Sequence, residues 1–364
     1  MNEKAKNQIV KIFSRYYAQA RLEILQPAQR EFGMGNIKKI DHRHMAFPGL
    51  KELQAYLANN PPLFVSHSTA YYRYPEATPI EKKEWLGADV VFDLDLHAEE
   101  KFGIYRRLDS VKQDTLRLME EFLLRDFGLE KKDLLVVFSG NRGYHVHIRH
   151  KDFLPIGSNE RKELVDYIRG LGLNYEGFFT REEIKRGMVK LLGPRPTEDG
   201  YRGRFARAVI RQVEEKPTSI ARIFAKPEPR DRFIGGIREG NWSKAPVKDI
   251  MPRLKPIADQ LPLQSVNADA GVTQDISKLI RIPNSIHGET GCIAQVVDNM
   301  EKFEPLRDAL LPLKGVATVR FTEDIPALEF ANETLGPFKS GEKKDVPRPY
   351  ALFVLLKGSA DLEE

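Results

Sequence analysis

Apolar residues recur at helical spacing in the first segment, at Ile9, Ile12, Phe13, Tyr16 and Tyr17, and continue through Leu22 and Leu25 towards Pro27. That pattern predicts one or two helices before residue 30. Arg30 to Phe47, REFGMGNIKKIDHRHMAF, is punctuated by glycine and reads as a hairpin or loop with short strands, in which Arg43 and His44 sit in a solvated turn. A helical stretch from Leu50 to Leu57 stops before Pro61-Pro62, and LFVSHSTAYYRY then predicts a strand with aromatic content. WLGADVVFDLDL, Trp85 to Leu96, alternates: Val90, Phe92, Leu94 and Leu96 make an apolar face, while Asp93 and Asp95 share the other. Residues 106–128 repeat apolar positions at Leu116, Met119, Leu123 and Phe127 and end on Gly128, a helix with its C-terminal cap. DLLVVFSGNRGYHVHIRH follows as strand, tight turn and strand, with His145, His147 and Arg149 on one face and Ser139, Arg142 and His145 close together.

From Phe153 to Leu263 charges and prolines are scattered without strand alternation, which predicts a mainly helical insert. The implied organisation is a catalytic α/β domain from 1–152 and 264–364, interrupted by a helical subdomain at 153–263. Arg202, Arg204, Arg207, Arg211 and Arg222 in the insert either track a nucleic-acid backbone or form a solvated helix face, the commoner use of such a run. In the last informative block, NADAGVTQDISKLIRIPNSIHGETG from Asn267 to Gly291, Asp269 precedes a glycine turn and an amphipathic stretch ends at Arg281. Pro283 then imposes an extended path to His287. The tail predicts a strand at Val316 to Phe321, a polar linker from Ser340 to Pro349 and a final apolar strand or helix at Tyr350 to Leu356.

Composition narrows the chemistry. With 364 residues the chain builds a core without staples, and the single cysteine, Cys292, excludes an intramolecular disulfide framework or a multi-cysteine zinc site. A reducing, intracellular home is expected, with no membrane partner, since no run approaches the length of a membrane span. The balance of 57 basic to 52 acidic residues, a net charge of +5, permits a polyanionic partner without requiring one.

Same-face neighbours on a strand stand about 6.5 to 7 Å apart, near enough for Asp93 and Asp95 to hold cations between them. Two metals about 3.5 to 4 Å apart serve in-line nucleotidyl transfer. The alternative for an isolated Asp-x-Asp is a solvated strand end at a sheet edge. Asp269 offers a third carboxylate, and hard oxygen donors favour Mg²⁺ or Mn²⁺ over zinc. Ser139, Arg142, His145 and His287, with the amides of the glycine turn, are candidates for phosphate oxygens. Singly, each also reads as a turn serine, a surface arginine or a core histidine, and His147 is taken as a core residue.

In order and spacing, WLGADVVFDLD, FSGNRGYHVHI and DAGVTQDISKLIRIPNSIHGETG resemble the three motifs of the small catalytic subunit of archaeal and eukaryotic DNA primase, and REFGM is similar to that family as well. The resemblance runs from Arg30 to Gly291. It implies a mixed-sheet α/β primase fold whose catalytic carboxylates match Asp93, Asp95 and Asp269. It also implies nucleotide-binding residues that match Ser139, Arg142, His145 and His287, with Arg281 at a basic position facing the triphosphate. The implied activity is two-metal, template-directed synthesis of short RNA primers on single-stranded DNA from nucleoside triphosphates. The implied partner is a primase large subunit that carries the iron–sulfur cluster. A repair-type primase-polymerase and a catalytically silent nucleic-acid-binding subunit are the rival readings. Two departures stand out. Glu289 occupies a position that is lysine in many relatives, which moves the triphosphate's support onto Arg281, Lys278 or Arg142, and a lysine restored there is expected to tighten nucleotide binding. The cysteine-rich zinc module that many relatives carry after the Asp-x-Asp strand has no counterpart in Leu96 to Tyr105, so no zinc is expected in this chain.

Overall fold

The computed structural model describes residues 3–96, 100–185, 188–262, 266 and 268–363. Asn267, where the last motif block begins, the expected 263/264 boundary and residues 97–99 lie outside them. The chain opens with α1 (Glu3–Tyr17), β1 (Phe32–Gly35), β2 (His42–Met45), α2 (Leu50–Asn59), β3 (Phe64–Ser68), β4 (Ala70–Tyr72), β5 (Trp85–Ala88) and β6 (Val90–Asp95). It continues through α3 (Leu108–Arg117), β7 (Leu134–Phe138), β8 (Gly143–Ile148), α4 (Ser158–Arg169), β9 (Thr180–Lys185) and β10 (Met188–Leu192). Helices α5 (Gly200–Glu215), α6 (Pro217–Ile220), α7 (Pro227–Glu239), α8 (Ile250–Gln260) and α9 (Ala270–Gln274) precede β11 (Leu279–Arg281) and α10 (Pro305–Asp308). The chain closes with β12 (Val316–Phe321), β13 (Leu328–Phe330), β14 (Glu333–Leu335), β15 (Lys343–Pro347), α11 (Arg348–Leu356) and β16 (Ala360–Leu362).

By compactness the chain falls into two units: Met1–Leu116, Lys131–Lys162 and Ala268–Glu364 form one, Arg117–Glu130 and Glu163–Asn267 the other. The first is a mixed α/β unit. Its largest sheet is antiparallel in the order β11-β3-β1-β2, and a second antiparallel sheet runs β6-β8-β7. Ile9, Phe13 and Tyr17, one face of α1, are buried with Phe32, Leu53, Leu57, Val65 and Leu352 in its core. In the second unit, α5, α7 and α8 accompany the antiparallel β9–β10 hairpin, and Phe205 stacks on Trp242. The hairpin is absent from the sequence expectation for 153–263, because Thr180–Lys185, TREEIK, carries charges where an alternating strand would be recognised.

The main strand assignments differ from expectation at their joints. LFVSHSTAYYRY is two strands in different sheets, and the Trp85–Asp95 run is likewise two, β5 and β6, broken at Asp89. Buried Arg30 ties both breaks together: Nη1 donates to the carbonyls of Ser68 (2.9 Å) and Thr69 (2.6 Å), and Nη2 to Asp89 Oδ2 (2.6 Å). Arg161 donates to the carbonyls of Ala88 and Asp89 from the other side. Arg43 and His44 are not in a solvated turn but on β2, where Arg43 Nε donates to the fully buried Glu31 carboxylate at 3.0 Å and His44 stands 3.3 Å from it. Glu31 is thus the reason for both. Helix α1 stops at Tyr17, and Leu22 and Ile24 reach the core from irregular chain.

Of the stripe expected at Leu116, Met119, Leu123 and Phe127, Leu123 is fully buried and the other three are half-buried. The buried line runs Leu108, Val111, Thr115, Leu118, Phe122 and Leu123, and through Leu118–Leu124 a π-helical turn shifts its spacing. Gly128 does end the helix, at φ +69°, with Leu129 N–H donating to Leu123 C=O. In the tail, the polar segment read as a linker contains β15, paired with β12, and the final apolar stretch is helix α11.

Candidate active site

The β6-β8-β7 sheet has the two faces that the alternation predicts. Val90, Phe92 and Leu94 are buried opposite Tyr144, Val146 and Ile148, while Asp93 lies directly across from His145 and Asp95 from Gly143. No side chain stands at 143, where a Cβ would fall 2.5 Å from Asp95 Oδ1. The missing side chain lets Asp95 lean over β8 and accept from Arg142 Nε at 2.7 Å.

Asp269 joins this pair through the backbone. Its N–H donates to Asp93 C=O at 2.9 Å, and Thr273 Oγ1 donates to Val91 C=O at 2.9 Å, so α9 is stitched along β6. Val272 and Ile280 pack on Val91 beneath it. Asp269 is the N-cap of α9, its Oδ1 accepting from Gly271 N–H at 2.8 Å. The helix is only five residues long; the rest of the expected amphipathic stretch is a turn and β11.

Three carboxylates therefore converge, and Asp93 bears the strain. Burial first, then the charges of Asp95 and Asp269, push its carboxyl up to about 7, against the pull of Lys278 and Lys39. Its Oδ1 is buried with no hydrogen-bond partner, His145 Nε2 standing 3.6 Å away. An orphaned carboxylate oxygen beside two further carboxylates is a donor set suited to a hard divalent cation. Among the described residues no three His, Cys, Asp or Glu side chains are already drawn together as a cage. Arg142 on Asp95 and the helix cap on Asp269 hold oxygens that a metal would use.

The glycine turn is closed by its own serine. Ser139 Oγ accepts from Asn141 N–H (3.4 Å) and Gly143 N–H (3.2 Å), which leaves its O–H to donate. Gly140 has φ +82°, and a Cβ there would lie 2.8 Å from His287 Cβ, so this turn needs glycine to lie against the His287 loop. Thr290 Oγ1 donates to Gly140 C=O at 2.6 Å and locks the two loops together. His287 Nδ1 accepts from Glu289 N–H at 3.1 Å, which places the proton of the neutral ring on Nε2. Burial, with Arg281, Lys357, Lys39 and His145 around it, drives His287 well below the usual histidine range. His145 is pushed down to about 3 by burial and by Arg281 and Lys39. Both are neutral donors or acceptors at working pH, so the positive charge here belongs to arginine and lysine.

Arg281 is half-buried above the Phe64 ring, and its buried Nη1 has no hydrogen-bond partner. Burial lowers it to about 10, leaving it cationic. Sequence reasoning missed Lys357, at the C-terminal end of α11. Its Nζ donates to Asn141 Oδ1 at 3.4 Å and lies 5.0 Å from the Tyr105 ring centre, while Tyr105 OH donates to the same Asn141 oxygen at 2.8 Å. Asn141 Nδ2 in turn donates to Glu289 Oε2 at 3.2 Å. Glu289 is thus held beside Lys357 and Arg142 rather than standing alone as a repulsive charge. Nothing in the local pattern of α11 marks Lys357; only the tertiary fold brings it to the turn.

The sequence comparisons agree with this constellation. The family profile described as DNA primase small subunit matches residues 92–298, from the carboxylate strand past the His287 loop. The DNA primase small subunit PriS of Methanocella arvoryzae is 32% identical, the alignment covering all of both chains. Those of Thermoplasma volcanium and Archaeoglobus fulgidus are 30% and 28% identical over 96% and 97% of each chain. With the matched span holding all three carboxylates and both loops, and relatives aligned end to end, the chain belongs to the DNA primase small-subunit family.

Proposed function

We propose that this chain is the catalytic subunit of a DNA primase, a nucleotidyltransferase that joins nucleoside triphosphates on a single-stranded DNA template to make short RNA primers. The observation that carries the reading is the approach of Asp95 and Asp269 to Asp93, whose buried Oδ1 has no hydrogen-bond partner. These three would hold Mg²⁺ or Mn²⁺, which when bound would lower the pKa of the attacking 3′-hydroxyl and offset charge on the α-phosphate and the departing pyrophosphate. Arg142, whose Nε is held by Asp95, keeps its remaining N–H groups for phosphate oxygens. Ser139 O–H and His287 Nε2–H add neutral donors, Arg281 adds positive charge where the leaving group's charge grows, and Lys357 adds a titratable charge that binds the triphosphate equally in ground and transition state. His145, packed against Asp93, positions that carboxylate.

Relatives named as small subunits support a heterodimer with a large subunit, which would supply the iron–sulfur cluster that one cysteine cannot ligate. Among the described residues no helix is long and apolar enough to cross a membrane, in keeping with an intracellular replication role. The test is primer synthesis on single-stranded DNA with Mg²⁺ or Mn²⁺ by Asp93→Ala and Asp95→Ala. Each is expected to lose at least about a hundredfold in rate. A folded Asp93→Ala enzyme with full activity would remove the metal assignment.

A further inference from the structure

The second unit has a positively charged cavity of its own. Helix α5 carries Arg204, Arg207 and Arg211 at i, i+3 and i+7, one face of the helix. Arg117 and Arg125 come to the same place from the two ends of the π-helical turn, and the five guanidiniums line one cavity of about 610 Å³.

Arg125 and Arg204 have carboxylate partners that account for them. Arg125 Nε donates to Asp199 at 2.7 Å. Arg204 meets Glu121 at 3.0 Å and Asp126 at 2.8 Å and lies 4.0 Å above the Phe122 ring. Arg207 is different: it donates to the main-chain carbonyls of Pro196 (2.6 Å) and Glu198 (3.3 Å), which orient it without neutralising it. Burial first, then Arg125 and Arg204, lower its proton affinity, against the pull of Glu121 and Asp126, neither of which reaches it as an ion pair. Arg211 is exposed and has no hydrogen-bond or ion-pair partner among the described residues. A solvated face explains Arg211 alone, and an ion-pair network explains Arg125 and Arg204. Neither explains a half-buried, oriented but uncompensated Arg207 between them.

We infer that this cavity binds the phosphates of a single-stranded nucleic acid, with Arg207 and Arg211 as the contacts and Arg125 and Arg204 as a fixed framework. A strand fits better than a free nucleotide for two reasons. The arginine stripe from 204 to 211 extends about 10 Å along the helix, more than one phosphate needs. The aromatic residues of the lining, Phe122 and Tyr201, are buried, so no ring is offered to a base, whereas backbone tracking needs only cations. The inference rests on the proposed function only in taking single strands to be what the chain handles.

The test is fluorescence anisotropy of a labelled oligothymidylate with the full chain across a KCl series, comparing wild type, Arg211→Gln and Arg207→Gln/Arg211→Gln, with thermal melts to verify folding. The double variant is expected to bind about tenfold more weakly and to lose about 1.4 from the slope of log K against log salt, the single variant about half of that slope. Unchanged affinity and slope in a folded double variant overturn the inference, as does wild type that shows no salt-dependent binding. If the double variant keeps its oligonucleotide affinity but loses inorganic triphosphate, the cavity takes a free polyphosphate and the strand assignment falls. The Asp93→Ala chain is expected to bind the oligonucleotide normally and to depend on Arg207 and Arg211 as wild type does. A failure of primer synthesis therefore leaves this readout intact.

Discussion

The carboxylate site of the first unit and the arginine cavity of the second are both clusters of like charge, and the fold tolerates them in opposite ways. Asp93, Asp95 and Asp269 are brought together by backbone: a ladder pair, an N–H on Asp93 C=O and a helix cap. Little of their charge is compensated beyond Arg142, and Asp93 responds by holding its proton. Arg125 and Arg204 are held by carboxylates of their own neighbourhood, whereas Arg207 and Arg211 have no ion-pair partner among the described residues. An acidic cluster relieved by protonation is a site waiting for a cation. A basic cluster cannot be relieved that way near neutral pH, so it must be framed by acids or filled by an anion.

The sharpest way to break this contrast is to remove the protonation. In the folded, metal-free chain Asp93 titrates near 7 rather than at its ordinary 3.8. The native state then binds more protons than the unfolded state between about pH 4 and 7, so stability falls as pH rises through that window and levels off above it. Asp93→Asn removes the penalty, and the metal-free variant is expected to be more stable than wild type at pH 8 by about 2 to 4 kcal/mol, with no gain near pH 4. Mn²⁺ should raise the melting temperature of wild type at pH 8 and not that of Asp93→Asn. Equal melting curves at pH 8, with and without metal, would mean that the three carboxylates do not press on one another.

A change of comparable size is expected from the buried pair that shapes the acidic strand. Arg30→Met leaves Asp89 buried and uncompensated and frees the Ser68 and Thr69 carbonyls. A loss of about 3 to 5 kcal/mol in chemical unfolding is expected. Arg30→Met combined with Asp89→Asn should recover part of it, because the unpaired charge is gone.

These residues also show how far the sequence could be read. The carboxylate faces were legible because period-two alternation survives burial: Val90, Phe92 and Leu94 went inward and Asp93 and Asp95 shared the other side, as written. Ser139, Arg142 and His145 were legible because a glycine turn between two strands leaves few ways to fold. The breaks at Thr69 and Asp89 were not, since a strand that changes sheets keeps its β-prone composition and the cause lies in Arg30, distant in sequence. On the helix before Gly128, Leu123 was read correctly, while the π-helical turn brought Leu118 and Phe122 inward without altering the residues that compose the segment. Of the insert, the arginine stripe on α5 was visible, but which arginines have acid partners could be known only once Asp126 and Asp199 were placed. Lys357 carried no signal at all.

Lys357 gives a smaller and more specific effect. Burial lowers it to about 8 against the support of Glu289 and Cys292. It loses its charge as pH passes 8, so nucleotide affinity should weaken between about pH 7 and 9 in wild type. Lys357→Met is expected to raise the nucleotide KM several-fold at pH 7, leave kcat nearly unchanged and flatten that pH dependence. A KM profile identical to that of wild type would place Lys357 in the support of the Asn141 turn alone.

The finest test concerns position 289, where the family resemblance leads one to expect lysine. Because Glu289 accepts from Asn141 and lies beside Lys357 and Arg142, a lysine introduced there meets cations already in place and loses the Asn141 bond. Glu289→Lys alone should therefore tighten nucleotide binding by less than about threefold, since the gain near phosphate is offset by repulsion from Lys357. In a Lys357→Met background the same substitution restores a single cation to the loop and should recover most of the lost affinity. The two changes are thus expected to be non-additive, the mark of residues sharing one electrostatic role. If nucleotide titrations show the two effects simply adding, Lys357 and residue 289 act on different parts of the ligand, and Glu289 is no counterpart of the family lysine.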